Sequence, residues 1–129
     1  MDRDITFFGD SGTSQDAFGV DLSRAFQNAS KAYGNDAKIR FEAILNFADS
    51  ETDTELRNMA TGTSARPPWG WSPGGIPIYR TPRPWLAYIV EVDNSVSPPL
   101  ATVHCLALAD ENADEQTFWR LVLGRCARL

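Results

Sequence analysis

The chain has few of the side chains that hold metals or carry protons near neutral pH. It contains one histidine, His104, and two cysteines, Cys105 and Cys126, among 129 residues. Two cysteines with neither a close pair nor a metal spacing predict reduced, buried thiols and, with them, a cytoplasmic home. A zinc site would need carboxylates from several elements, and nothing in their spacing suggests one. No glycine-rich phosphate loop and no dinucleotide fingerprint occurs, so the sequence implies neither a metal nor another cofactor. No apolar run approaches the length of a membrane span, and no charged-then-apolar leader opens the chain.

What is present reads as one ordinary globular domain, residues 1–129, with 43% hydrophobic and 22% charged residues. A chain of this length buries enough apolar surface to fold without staples. Its net charge of -5 argues against unaided, nonspecific binding to free nucleic acid. The distribution of charge says more than the sum. Asp49, Glu51, Asp53 and Glu55 form one acidic block, and Asp110, Glu111, Asp114 and Glu115 form another. Between Glu55 and Glu91 the only charges are Arg57, Arg66, Arg80 and Arg83. Inside that interval, RPPWGWSPGGIPIYRTPRPW (residues 66–85) holds six of the eight prolines and three of the four tryptophans.

Residues 4–8 predict a first strand, followed by a polar turn. Ser14 is a candidate cap for a helix whose apolar stripe runs through Phe18, Leu22, Ala25, Phe26, Ala29 and Tyr33. Residues 37–48 fit a helical face through Phe41, Ile44, Leu45 and Ala48, yet also alternate as a strand would. Helix-forming residues and Asn35 or Asp36 as caps decide for a helix. Residues 49–65 read as loop with one helical turn at 53–59. GIPIYR predicts a short strand at a sheet edge, because Pro77 cannot donate to a ladder. Residues 85–92 and 100–108 are apolar on both faces and predict a central antiparallel pair. A final helix is capped by Asn112 with Glu115 answering, its acids at the start and arginines at the end, and Phe118, Leu121 and Val122 turned inward. Gly124 ends or interrupts it. The expected fold is α+β: a small antiparallel sheet of about four strands, two N-terminal helices against it, and a C-terminal helix.

FFGDSGTS resembles the first block of the SGNH hydrolases, and YGNDA their second. That resemblance would make Ser11 a nucleophile and Asn35 an oxyanion donor. The family's Asp-x-x-His is absent and the blocks lie too close together, so residues 9–12 read as a turn. A serine without a base is not activated. His104 falls in mid-strand, where a lone histidine is more often a packed residue than a base.

Arginine and tryptophan dominate interface energetics, and guanidinium groups fork onto phosphates or carboxylates. Prolines would hold Trp69 and Trp71 in place before a partner arrives, which reduces the ordering cost. Trp85 reads as core. The candidate binding set is Arg66, Trp69, Trp71, Arg80 and Arg83.

The order of elements, with KIRFEAIL, GIPIYRTPRPWLAYIVEVD and LATVHCLALAD, resembles the RelE/ParE toxins of toxin–antitoxin pairs, in particular their phage-related, HigB-like branch. The resemblance implies a small protein that halts growth, either by cutting messenger RNA on the ribosome without a metal or by binding gyrase. It would place Arg80 and Arg83 toward phosphate, Tyr88 as a polar aromatic and His104 as an acid or base. The acidic charge, and a last strand that runs into Ala109-Asp110-Glu111, would repel RNA. The expectation ranked first is therefore a non-enzymatic inhibitor or adaptor that contacts a protein or ribonucleoprotein through residues 66–85. A ribosome-dependent RNA endonuclease is the alternative, and a homodimer is left open.

Overall fold

The structure, a computed structural model, describes residues 1–9, 14–15, 21–109 and 112–129. The two continuous apolar runs lie at the middle of a five-stranded sheet, as strands covered on both faces must. β6 (Leu86–Asp93) and β7 (Leu100–Leu108) pair antiparallel, from Leu86 opposite Leu108 to Asp93 opposite Leu100. A bulge lies where Ala87 pairs with Ala107 but Tyr88 with Cys105. The extra residue, Leu106, changes the phase of β7, so Leu106 and Ala107 both join one core while Cys105 and Leu108 meet the other.

β1 (Asp2–Phe7) pairs with the far side of β7 in parallel, Asp2 opposite Leu100 and Phe7 opposite Cys105. On the opposite flank β5 (Pro77–Arg80) pairs antiparallel with β6, and β4 (Gly70–Trp71) with β5. The order is β1-β7-β6-β5-β4. The fold is α+β as expected, but its main sheet is mixed and five-stranded rather than antiparallel and about four-stranded. The long helical segment after β1 permits the parallel pairing, which a tight turn cannot make. Pro77 does not lie in the edge strand, because β4 lies outside it. The β4–β5 bonds run from Trp69 N–H to the Ile78 carbonyl and from Ser72 N–H to the Ile76 carbonyl, and ask nothing of the proline nitrogen.

A short ribbon, β2 (Ser14–Gln15) with β3 (Asp21–Leu22), precedes α1 (Arg24–Tyr33). Ser14 therefore does not cap that helix; Ser23 stands at its N-cap. Phe18, the Ser11 turn, Asp110 and Glu111 lie outside the described residues. α2 (Asn35–Ser50) buries Ala37, Phe41, Ile44 and Ala48 and leaves Ile39 exposed. That spacing belongs to a helix, since a strand would bury Ile39 together with Phe41. Gly34, with φ 60°, stands at its N-cap in place of Asn35 or Asp36. α3 (Asp53–Thr61) is a full helix rather than a single turn. The Glu55 N–H donates to Thr52 Oγ1 at its start, and Gly62 at φ 76° closes it. These helices cover one face of the sheet around Phe7, Phe26 and Phe41, where Phe7 meets the other two rings edge-on at 5.1 and 5.7 Å.

The second face is covered by α4 (Glu115–Cys126), which buries Phe118, Val122 and Cys126 against Ile78, Trp85, Ala87, Ile89 and Leu106. Asp114, not Asn112, caps it by accepting from the Thr117 N–H at 2.8 Å. Leu121 is exposed rather than inward, and Gly124 lies within the helix. Cys105 and Cys126 are free and buried, in different cores on opposite faces of the sheet. Among the described residues no helix is long and apolar enough to cross a membrane.

Candidate aromatic and arginine surface

The proline-rich stretch folds as the β4–β5 hairpin and the approach to β6, so Trp69 and Trp85 collect at one flank of the sheet beside the start of α4. Trp85 is 4% exposed and belongs to the core, as its place at the head of a buried strand requires. Trp69 is half-buried. Its ring stacks on Phe118 with centroids 5.7 Å apart and meets Trp119 edge-on at 4.7 Å. The six-membered ring of Trp119 closes on Gly70, where a β-carbon would come within 2.4 Å of the indole. Gly70 thus permits the contact between hairpin and helix.

The arginines lie on these rings. The Arg80 guanidinium sits 4.5 Å from the Trp69 centroid and 4.3 Å from that of Trp85, and Arg83 sits 4.1 Å from Trp85. A cation over an indole face is attracted by the ring quadrupole. Arg80 Nη1 also lies 3.5 Å from Glu115 Oε1, which accepts the Trp69 Nε1–H at 3.2 Å. The Arg80–Glu115 contact is an ion pair without hydrogen-bond geometry, and Arg80 Nη1 is buried with no hydrogen-bond partner. The Arg83 carbonyl accepts from Arg40 Nη2.

Arg66 is placed apart from that cluster. It pairs with Glu51 at 2.7 Å and its guanidinium lies 5.4 Å from the Phe47 ring. The positive stretch seen in the sequence is therefore partly neutralised from within, Arg66 by the first acidic block and Arg80 by the second. Trp71 is the exposed indole, at 49%, resting over the C-terminal glycine of α3, Gly62. Ile76, on the other arm of the same hairpin, is also exposed.

Trp119 and Glu115 complete the site, and neither was among the residues singled out from the sequence as binding residues. With Trp69 and Gln116 they line an open cavity of about 400 Å3. The sequence signal for Trp119 is slight: it follows Phe118 directly and so points to a different side of α4 than the buried positions.

The residues named by the toxin resemblance do not converge. His104 Nδ1 and Thr6 Oγ1 share a hydrogen bond of 2.8 Å, and Glu91 Oε1 lies 3.8 Å from His104 Nε2. His104 opens on another cavity, which Arg80 and Arg83 do not line. Tyr88 is buried on the helix-covered face between Tyr79 and Phe47, and burial pushes its hydroxyl up to about 12. No group of three histidine, cysteine or acidic residues able to hold a metal occurs among the described residues.

The fold and the site together define an α+β domain with a mixed sheet between two helical layers and an aromatic, arginine-clad ledge at one flank. Comparison with protein-family models, curated proteins and solved structures finds no match to this chain.

Proposed function

We propose that the protein is a non-enzymatic binder that holds a protein partner at the exposed end of the β4–β5 hairpin, centred on Trp71 and Ile76. The observation that carries this reading is the half-exposed Trp71 on the hairpin that also presents Trp69. Trp71 gains nothing for the core by standing in solvent, whereas a rigid indole offers a partner much area at low entropic cost. The hairpin is held from below by Trp85 and Arg80, so binding need not order it. Because Arg66 and Arg80 already face carboxylates, recognition depends on the indoles first and on charge second. The exposed side of Arg66 supplies a polar group for the rim.

The RNA-cleaving alternative asks Arg80, Arg83 and His104 to act on one phosphate. Their separate surroundings give it less support than the binding reading.

The test compares two tryptophans. Trp71→Ala leaves the unfolding midpoint within about 1 kcal/mol of the parent and weakens partner capture by about 1–3 kcal/mol. Trp85→Ala, a core truncation, lowers stability by about 3–5 kcal/mol. A photo-crosslinker at position 76 identifies the captured protein, and affinity is then measured with the purified pair. Binding that is unchanged in Trp71→Ala overturns the assignment.

A further inference from the structure

The far end of α4 carries a second site of different chemistry. Two cavities meet there. One, of about 430 Å3, is lined by Thr6, Phe8, His104 and Arg128 among others. The other, of about 380 Å3, is lined by Phe8, Arg120, Leu121, Gly124, Arg125 and Arg128. Both are walled by Phe8 and Arg128, so the two adjoin at those residues.

The charge of this cleft is one-sided. Arg120, Arg125 and Arg128 line it, and among the described residues no acidic side chain does. Arg125 is built in: its Nη1 donates to the Leu106 carbonyl at 2.7 Å and its guanidinium lies 5.1 Å from the Phe8 ring. Burial and then the neighbouring Arg128 charge both lower its pKa, so the two cations are held close enough to repel. Among the described residues no carboxylate lies within ion-pair distance of Arg120, Arg125 or Arg128. In the first cavity the Thr6 hydroxyl is shared with His104 Nδ1, and His104 Nε2 is buried without a hydrogen bond, with Glu91 Oε1 3.8 Å away.

We propose that this cleft binds a phosphomonoester dianion carried on a small aromatic or apolar group. Three guanidinium groups that line one cavity, with no carboxylate among the described residues within ion-pair distance, fit a compact ligand with two negative charges and three terminal oxygens. Phe8, with the exposed Leu121 and Leu129 beside it, offers the carrier an apolar wall. A polyanion fits less well, because the chain as a whole is acidic, at -5. The site lies at the opposite end of α4 from the tryptophan ledge and stands independently of that reading.

Isothermal titration calorimetry on the full chain tests the assignment with phenyl phosphate, the diester methyl phenyl phosphate and a short single-stranded RNA. Phenyl phosphate is expected to bind with one-to-one stoichiometry and about tenfold more tightly than the diester. Arg128→Gln and Arg120→Gln, both exposed and away from the core, are expected to weaken it by about tenfold each. Arginine Nε–H resonances at both positions should shift during the titration. No saturable binding of phenyl phosphate, equal affinity for the diester, binding of the RNA alone, or full affinity in both variants would each overturn the proposal.

Discussion

The guanidinium of Arg80 lies 4.3 Å from the ring centroid of Trp85, so a charge is laid on the indole that anchors the second core. The same guanidinium reaches Trp69 and the Glu115 carboxylate at the start of α4. Arg80 thereby joins three parts of the chain, the β5 strand, the hairpin indole and the C-terminal helix. Arg80, a binding candidate from the sequence, also helps to hold this surface in shape.

This role predicts measurable coupling. Arg80→Met and Trp69→Leu, combined in a double-mutant cycle, should show an interaction energy of about 0.5–2 kcal/mol by urea denaturation. The effect should persist at high salt, since both groups are partly buried. Strict additivity of the two substitutions would show that the stacked geometry contributes nothing.

Gly70 is the point where the hairpin and α4 touch, with no room for a methyl group beneath Trp119. Gly70→Ala should push Trp119 off the hairpin and cost about 1–3 kcal/mol, as overpacking does. Near-ultraviolet circular dichroism should change with it, because the edge-on Trp69–Trp119 pair is lost. If the aromatic spectrum and stability both match the parent, the close approach is absent in solution.

Tyr88 makes stability sensitive to alkali. Burial holds its hydroxyl protonated in the folded chain up to about pH 12, while the unfolded phenol ionises near 10.0. Between those values the unfolded chain binds fewer protons than the folded one, so stability falls as pH rises and levels off above the folded value. Below the unfolded value the contribution is fully present. Tyr79, raised by burial and then by Glu55, works in the same direction. The wild-type loss should be on the order of 2–3 kcal/mol. Urea midpoints measured across this range should fall more steeply for the wild type than for Tyr88→Phe; parallel slopes would exclude the burial effect.

Much of the framework is legible in local pattern. The central β6–β7 pair follows from two apolar runs separated by a polar turn. Helix-forming residues favour a helix over residues 37–48, and the structure bears this out, burying Phe41, Ile44 and Ala48 while Ile39 stands in solvent. α3 was legible too, in the Thr52 and Glu55 spacing and in Gly62, but its polar composition hid it among loop residues. Trp85 as core was also legible, because it opens an apolar strand.

The sequence by itself determined that this chain forms an α+β domain, where its central strands run, and that an unusual concentration of tryptophan, arginine and proline lies just before them. Those properties come from periodicity and composition, which act over a few residues. Tertiary structure alone decided that β1 joins β7 in parallel, that Trp119 meets Trp69, that Glu115 answers Arg80, and that Phe8 lies against Arg125. Each of those contacts joins residues dozens of positions apart. They depend on how two helical layers close on one sheet, and no short stretch of sequence carries that information.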